Sequence, residues 1–164
     1  MTSSVTHADG HYDLAITARI DAPSDAVLHA ITDYSNLAAV NPDIEVSELL
    51  GVTRAGVSTV RTVIRVCILV FCKQVEQLQR VMQPDAQTIE AEIIPEGSDF
   101  RSGFARWQLR SPTAVTTVLR FTETFEPDFW VPPVIGPWLI QRKLVREVTE
   151  TVMYIEAQQA AAAP

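Results

Sequence analysis

Few residues in this chain have the type and spacing to do chemistry. The three histidines are His7, His11 and His29. His7 and His11 sit in a small, polar N-terminal stretch, and His29 lies two positions from Val27, off the apolar stripe of its helix. A catalytic triad or a metal site needs convergent partners, and none is spaced to meet these histidines. "TIEAEI" holds a carboxylate pair, Glu90 and Glu92, of the kind used in acid–base catalysis. They alternate with Ile89, Ala91 and Ile93, so in a strand both point to solvent. Gly97, Gly103 and Gly136 have neither P-loop nor dinucleotide-binding spacing. No catalytic residue, metal or cofactor is expected.

"VCILVFCK" sets Cys67 and Cys72 five positions apart, and two arrangements are open. A hairpin loop over residues 68–71 would put the cysteines opposite each other, close enough for a disulfide after modest twisting. One continuous strand would instead send them to opposite faces, about 17 Å apart along the chain, and no bond would form.

The elements that must position these groups can be read in order. Residues 1–11 read as a flexible tail. From Tyr12, strict alternation through Leu14, Ile16, Ala18 and Ile20 predicts a half-buried strand. "APSDAVLHAITDY" predicts a short helix, with Pro23 suited to its first turn and Asp25 to its positive end. A second helical turn over 35–40 stops at Asn41-Pro42. Strands are expected over 44–50, 57–66, 73–82, 88–94, 100–109 and 115–125, separated by "GVTRAG", "QPDAQ", "PEGSD" and "SPTA". The strand over 73–82 alternates poorly, with Gln77 and Gln79 on the face of Val75 and Val81. A partly wet cavity or a place at the sheet edge would each explain that.

A long helix from about Pro133 to Ala160 follows. Val134, Trp138, Val145, Val148, Val152 and Ile155 share one face at helical spacing, while Arg142, Lys143, Arg146, Glu147 and Glu150 fall mostly on the others. About 26 helical residues span about 39 Å, and a nine-residue strand about 30 Å. Such a helix can cross a whole curved sheet. The order predicts an α+β, helix-grip fold: a curved antiparallel sheet of about seven strands wrapped round a long C-terminal helix, with two short helices after the first strand. One domain is expected over residues 12–160.

Composition narrows the partners. The 164 residues carry a formal net charge of -7 and a pI near 4.9, which argues against nucleic acid. Hydrophobic residues make up 47% and the mean hydropathy is +0.11, enough for a large core or a lined cavity. The longest apolar runs, "VCILVFC" and "VPPVIGPWLI", fall short of the roughly 18 residues of a transmembrane helix. "MTSSVTHADGHYD" has neither the basic start nor the apolar centre of a signal peptide. A cytoplasmic location is expected, or a periplasmic or exported one if a signal has been removed.

The element order, with "DAPSDAVLHAITDYSNLAAVNP" and "SDFRSGFARW…EPDFWVPPVIGPWL", resembles the START-like (SRPBCC) superfamily. More narrowly it resembles its bacterial polyketide cyclase/dehydrase-like and coenzyme Q-binding members, from about Tyr12 to Ala157. The resemblance implies a hydrophobic cavity between sheet and helix, and an apolar ligand such as a lipid, a quinone or a polyketide-like ring. It implies no shared set of catalytic residues, since some members are enzymes and many are not.

The ligand-binding residues expected on this basis begin on the strand 100–109. Arg101, Gly103, Ala105 and Trp107 share a face, and the two small residues leave space beside the tryptophan. Arg101 either points to that space, meeting Glu76 or a ligand's polar head, or reaches the edge and pairs with Glu96 or Asp99. Leu119 and Phe121 come from the next strand, and Val145 and Val148 from the long helix. The proline-rich lip "PDFWVPPVIGPW" adds Phe129, Trp130 and Trp138, held rigidly either as a gate or as a plug. Arg142, Lys143 and Arg146 just beyond would suit weak contact with an anionic membrane surface. A binding protein is the leading expectation. Its rivals are a cyclase/dehydrase-type enzyme moving protons through Arg101 or Tyr34, and a protein-interaction module that uses the sheet edge or the lip, whose partner the residues do not indicate.

Overall fold

Asp9-Gly10 decides how the chain begins. Their φ angles are 51° and 85°, the left-handed pair that a type I′ hairpin turn requires. In the computed structural model, which describes residues 1–162 except 69, 70, 133 and 134, this turn joins β1 (Thr2–Ala8) to β2 (His11–Ile20). The expected flexible tail is therefore a paired edge strand, with Val5 opposite Leu14. Type I′ twist matches the right-handed twist of the flanking strands, so the ladder continues to Thr2.

The remaining elements are α1 (Ser24–Thr32), α2 (Leu37–Val40), β3 (Ile44–Val52), β4 (Ser58–Ile68), β5 (Phe71–Asp85), β6 (Thr88–Ile93), β7 (Phe100–Thr113), β8 (Thr116–Pro127) and α3 (Gly136–Ala162). Eight strands form one antiparallel sheet in the order β1-β2-β8-β7-β6-β5-β4-β3, so the helix-grip fold carries one strand more than the sequence suggests. Pro133 and Val134, expected at the start of the long helix, lie outside the described residues. β5 lies between β4 and β6, so its mixed pattern does not come from an edge position.

The concave face of the sheet is apolar. Tyr12, Leu14, Ile16, Ala105 and Phe121 form one buried cluster with Leu144 of α3. Ile20, Leu109 and Leu119 form a second with Val27 of α1 and Ile155 of α3. Each large aliphatic side chain so buried contributes about 1.5–3 kcal/mol. The second cluster clamps the C-terminal half of α3 to the sheet. A third and smaller cluster, Val75, Ile93 and Phe100, sits near the lip.

One irregularity re-aims a side chain. Phe100 pairs with Pro127 and Ser102 with Glu126, so β7 holds one extra residue against β8. From Gly103 onward the alternation runs as the sequence suggests, with Ala105 and Leu109 buried. Before it, the bulge reverses the parity. Phe100 turns inward and Arg101 turns out. Gly103 is inward but leaves no vacant space: a Cβ there would lie 2.7 Å from Ile93 Cγ1 and 3.3 Å from Phe125 Cβ.

Candidate functional site

A cavity of about 200 Å³ lies between the N-terminal half of α3 and the sheet. Leu14, Ile64, Val75 and Phe121 supply its sheet wall, from β2, β4, β5 and β8. Phe125, Phe129 and Val131 line it on the lip side. Helix α3 gives it Gly136, Leu139, Ile140, Lys143, Leu144 and Glu147, successive steps of three and one that trace a single helical face. Gly136 lets the helix start close against its neighbours, since a Cβ there would meet Val131 Cγ1 at 2.8 Å and Tyr12 Oη at 3.1 Å.

Three ionisable groups interrupt this apolar lining. Glu123 comes from β8, where Leu119, Phe121, Glu123 and Phe125 alternate onto the inner face, and its neighbours across the ladders are Leu14 and Ala105. Among the described residues its carboxyl makes no hydrogen bond or ion pair. Burial, with help from the charge of Glu147, pushes it up to about 7. Glu147 is also raised by burial, although Lys143 one turn earlier pulls it back.

Lys143 is held from two sides. It pairs with Glu147 on its own helix, and its Nζ lies 2.7 Å from Asp43 Oδ2. Asp43 is fixed by its own backbone: its N–H donates to Asn41 Oδ1 at 3.0 Å, and its carbonyl accepts from the Arg65 N–H at 2.8 Å. Arg146 pairs with the same carboxylate. Burial would raise Asp43, but hydrogen bonds and charge from Lys143 and Arg146 outweigh it and hold the carboxyl below the ordinary range. The latch between α3 and the loop before β3 is thus neutralised within itself, while Glu123 pairs with no cation among the described residues.

Of the residues expected to bind ligand, Phe121 and Phe129 line the cavity. Arg101 does not. It is exposed and pairs with Glu126 at 3.1 Å and Asp128 at 2.8 Å, because the bulge turns it away. Glu96 and Asp99 are not its partners; Asp99 binds Lys73 at 3.3 Å instead. Ala105 and Leu119 are buried in the two main clusters. Trp107 bridges those clusters and packs on Phe121 with centroids 4.9 Å apart. Val145 and Val148 pack at the edge of the first cluster.

Trp130 and Trp138 are 78% and 57% exposed. Trp138 lies two positions from Gly136 and from Ile140, which is half a turn from the cavity face, and the Arg142 guanidinium sits over its ring at 5.6 Å. Tyr34 packs against the first cluster without reaching the cavity. His7 stacks on Tyr12 at 4.4 Å, and His11 is 3.8 Å from Glu126. Glu90 pairs with Arg106 at 2.7 Å on the outer face.

Cys67 and Cys72 face each other across the β4–β5 ladder and are joined by a disulfide, the hairpin arrangement. Cys67 lines the cavity, as does Gln77, the inward glutamine that disturbed the pattern of β5. Sequence reading missed Glu123, Lys143 and Glu147. The signal for Glu123 was present in "LRFTETF", where a glutamate occupies an inward position between two phenylalanines.

A curved sheet gripping one long helix over an apolar cavity is the architecture of START-like proteins. The chain belongs to the polyketide cyclase/dehydrase and lipid transport family, which matches residues 12–156. Among solved structures, a START superfamily protein from Mycobacterium smegmatis is 16% identical, with TM-score 0.73 over 94% of this chain and 100% of that one. The Zhui aromatase/cyclase from Streptomyces sp. R1128 is 16% identical, with TM-score 0.70 over 90% and 93%. A STAR-related lipid transfer protein from Xanthomonas axonopodis is 17% identical, with TM-score 0.65 over 95% and 97%. At these identities the likeness is one of fold. No curated protein matches the sequence.

Proposed function

We propose that this protein binds an apolar small molecule, of lipid, quinone or polyketide-like ring chemistry, between the sheet and α3. The observation that carries the reading is the cavity itself, about 200 Å³ and lined mainly by aliphatic and aromatic side chains. An engineered apolar cavity of about 150 Å³ holds a benzene ring. This one therefore suits one or two rings or a short alkyl segment, and a longer tail must leave past the lip. Each 100 Å² or so of apolar ligand surface removed from water supplies about 2.5 kcal/mol. The family description and the named relatives, a lipid transfer protein among them, agree with such a ligand.

A second reading, catalysis on the bound molecule, draws on Glu123. A carboxyl that titrates near 7 within an apolar cavity is suited to general acid–base work, and one relative is an aromatase/cyclase. Arg101 and Tyr34 do not carry this reading, since neither lines the cavity.

Native mass spectrometry of protein purified without detergent tests the binding function. A reproducible non-covalent adduct, lost when Ile140→Phe fills the cavity, is the expected result. Empty protein that also fails to take up an apolar fluorescent probe would overturn it. Turnover of an added ligand, abolished by Glu123→Gln, would move the assignment to the enzyme.

A further inference from the structure

The ionisable groups of the cavity do not balance. Lys143 and Arg146 are committed to Asp43 and, for Lys143, Glu147 as well. Glu123 faces the same space without a protein partner among the described residues. An isolated carboxyl in an apolar wall is costly, and replacing it with a hydrophobic residue would relieve that cost. Neither cross-strand neighbour, Leu14 or Ala105, can bond it. Gln77 on β5 also lines the cavity; its Oε1 accepts from Thr62 Oγ1 at 3.5 Å, and its amide makes no hydrogen bond to Glu123 among the described residues. Glu123 is half-buried rather than sealed off, so a molecule that enters the cavity in front of it can reach the carboxyl.

We propose that the Glu123 carboxyl is the recognition point for a hydrogen-bond donor, a hydroxyl or a protonated amine, carried by an otherwise apolar ligand. The proposal rests on the binding function above and specifies its ligand class. The apolar body fills the space between Phe121, Ile64, Ile140 and Leu144, and the donor end meets Glu123. A hydrocarbon without a polar group would fill the same space but leave the carboxyl unmet. Lys143 sharpens the choice. It also lines the cavity, but its ammonium is already bonded to Asp43 and Glu147, so an anionic head group would compete with those carboxylates rather than find a free cation.

Ionisation adds a readout. The titratable groups lining the cavity, among the described residues, are Glu123 from β8 and Lys143 and Glu147 from α3; β2, β4 and β5 bring none, Cys67 being bonded. Burial, with the charge of Glu147, pushes the Glu123 carboxyl up to about 7. A bound donor favours the carboxylate, so affinity rises as the pH passes upward through that value, by about tenfold between about pH 6 and about pH 8.

The test uses three probes of one shape: methylnaphthalene, naphthylmethanol and naphthylmethylamine, titrated into the full chain by fluorescence. The amine should bind about tenfold or more tighter than the hydrocarbon, because a charge-assisted hydrogen bond has that worth, and the alcohol severalfold tighter. Glu123→Gln should bring the amine-to-hydrocarbon ratio to within about twofold of unity and remove its pH dependence, by the same reasoning. The wild-type series stands alone if that variant folds poorly. Equal binding of all three probes overturns the donor proposal and leaves the cavity reading intact. A preference that survives Glu123→Gln overturns the assignment to this residue. Failure of every probe, methylnaphthalene included, removes the binding function and the proposal with it.

Discussion

Glu123→Gln should make the protein more stable at neutral pH and leave it nearly unchanged in acid. The folded-state carboxyl is raised from the ordinary 4.5 to about 7, so between those values the native state holds a proton that the unfolded chain has released. Stability then falls as pH rises through the window, by about 1.4 kcal/mol per pH unit. Over the full window the loss comes to about 3 kcal/mol, complete only above the folded-state value. In the variant that loss disappears. Urea melts of both proteins at about pH 5, 7 and 8.5 would show the difference opening toward high pH, and thermal melts should part by about 6–12 °C at the upper end. Glu147 titrates in both proteins with Lys143 still beside it, so most of its contribution cancels in the comparison. A difference that stays flat from about pH 5 to 8.5 would refute the reasoning, for Glu123 would then titrate like a solvated carboxylate and the cavity would be wet.

Asp43→Asn should destabilise by about 1–3 kcal/mol, since it removes the anion that both Lys143 and Arg146 bind; because the folded-state carboxyl is lowered, the wild type's advantage in urea melts should disappear as pH falls through its folded-state value. Trp130→Ala should change stability by less than about 0.5 kcal/mol, as its 78% exposure suggests. Phe129→Ala, by contrast, removes a cavity wall that packs on Phe100 at 5.9 Å and lies under the Lys73 ammonium; denaturation of both variants should show Phe129→Ala clearly the more costly. Reduction of the Cys67–Cys72 bond should cost about 2 kcal/mol, as expected for so short a loop, with no loss of fold by circular dichroism. Two titratable thiols in denatured, unreduced protein would show that the bond is absent.

Much of the architecture was legible because alternation and helical spacing record which way side chains face. β2 and β6 were readable from strict alternation, and α3 from its length and apolar repeats. β1 was missed although Asp9-Gly10 announces a hairpin, since its strand is too polar to register as half-buried. The site was less legible. Assigning charged residues to solvent is sound on average, and it placed Lys143 and Glu147 on the wrong side of α3. Trp138 was counted on the apolar face of α3 and is exposed, whereas Val145, Val148, Val152 and Ile155 from the same face do pack against the sheet clusters. Arg101 went astray for a different reason, because a single extra residue in β7 reverses the parity and no spacing in the sequence reveals it.

The bond between the first strand and the last helix has a consequence for how the fold is assembled. Gln141 of α3 reaches the carbonyl and the hydroxyl of Ser3 in β1, at 3.3 and 3.2 Å, a closure between residues 138 positions apart. The sheet is complete once β8 has been synthesised, yet its concave face stays open to water until α3 follows. Contacts of such long range make for slow folding, and an uncovered apolar sheet invites association while it lasts. A newly made chain therefore passes through a stage in which Phe121, Leu14 and Ile64 form an open trough.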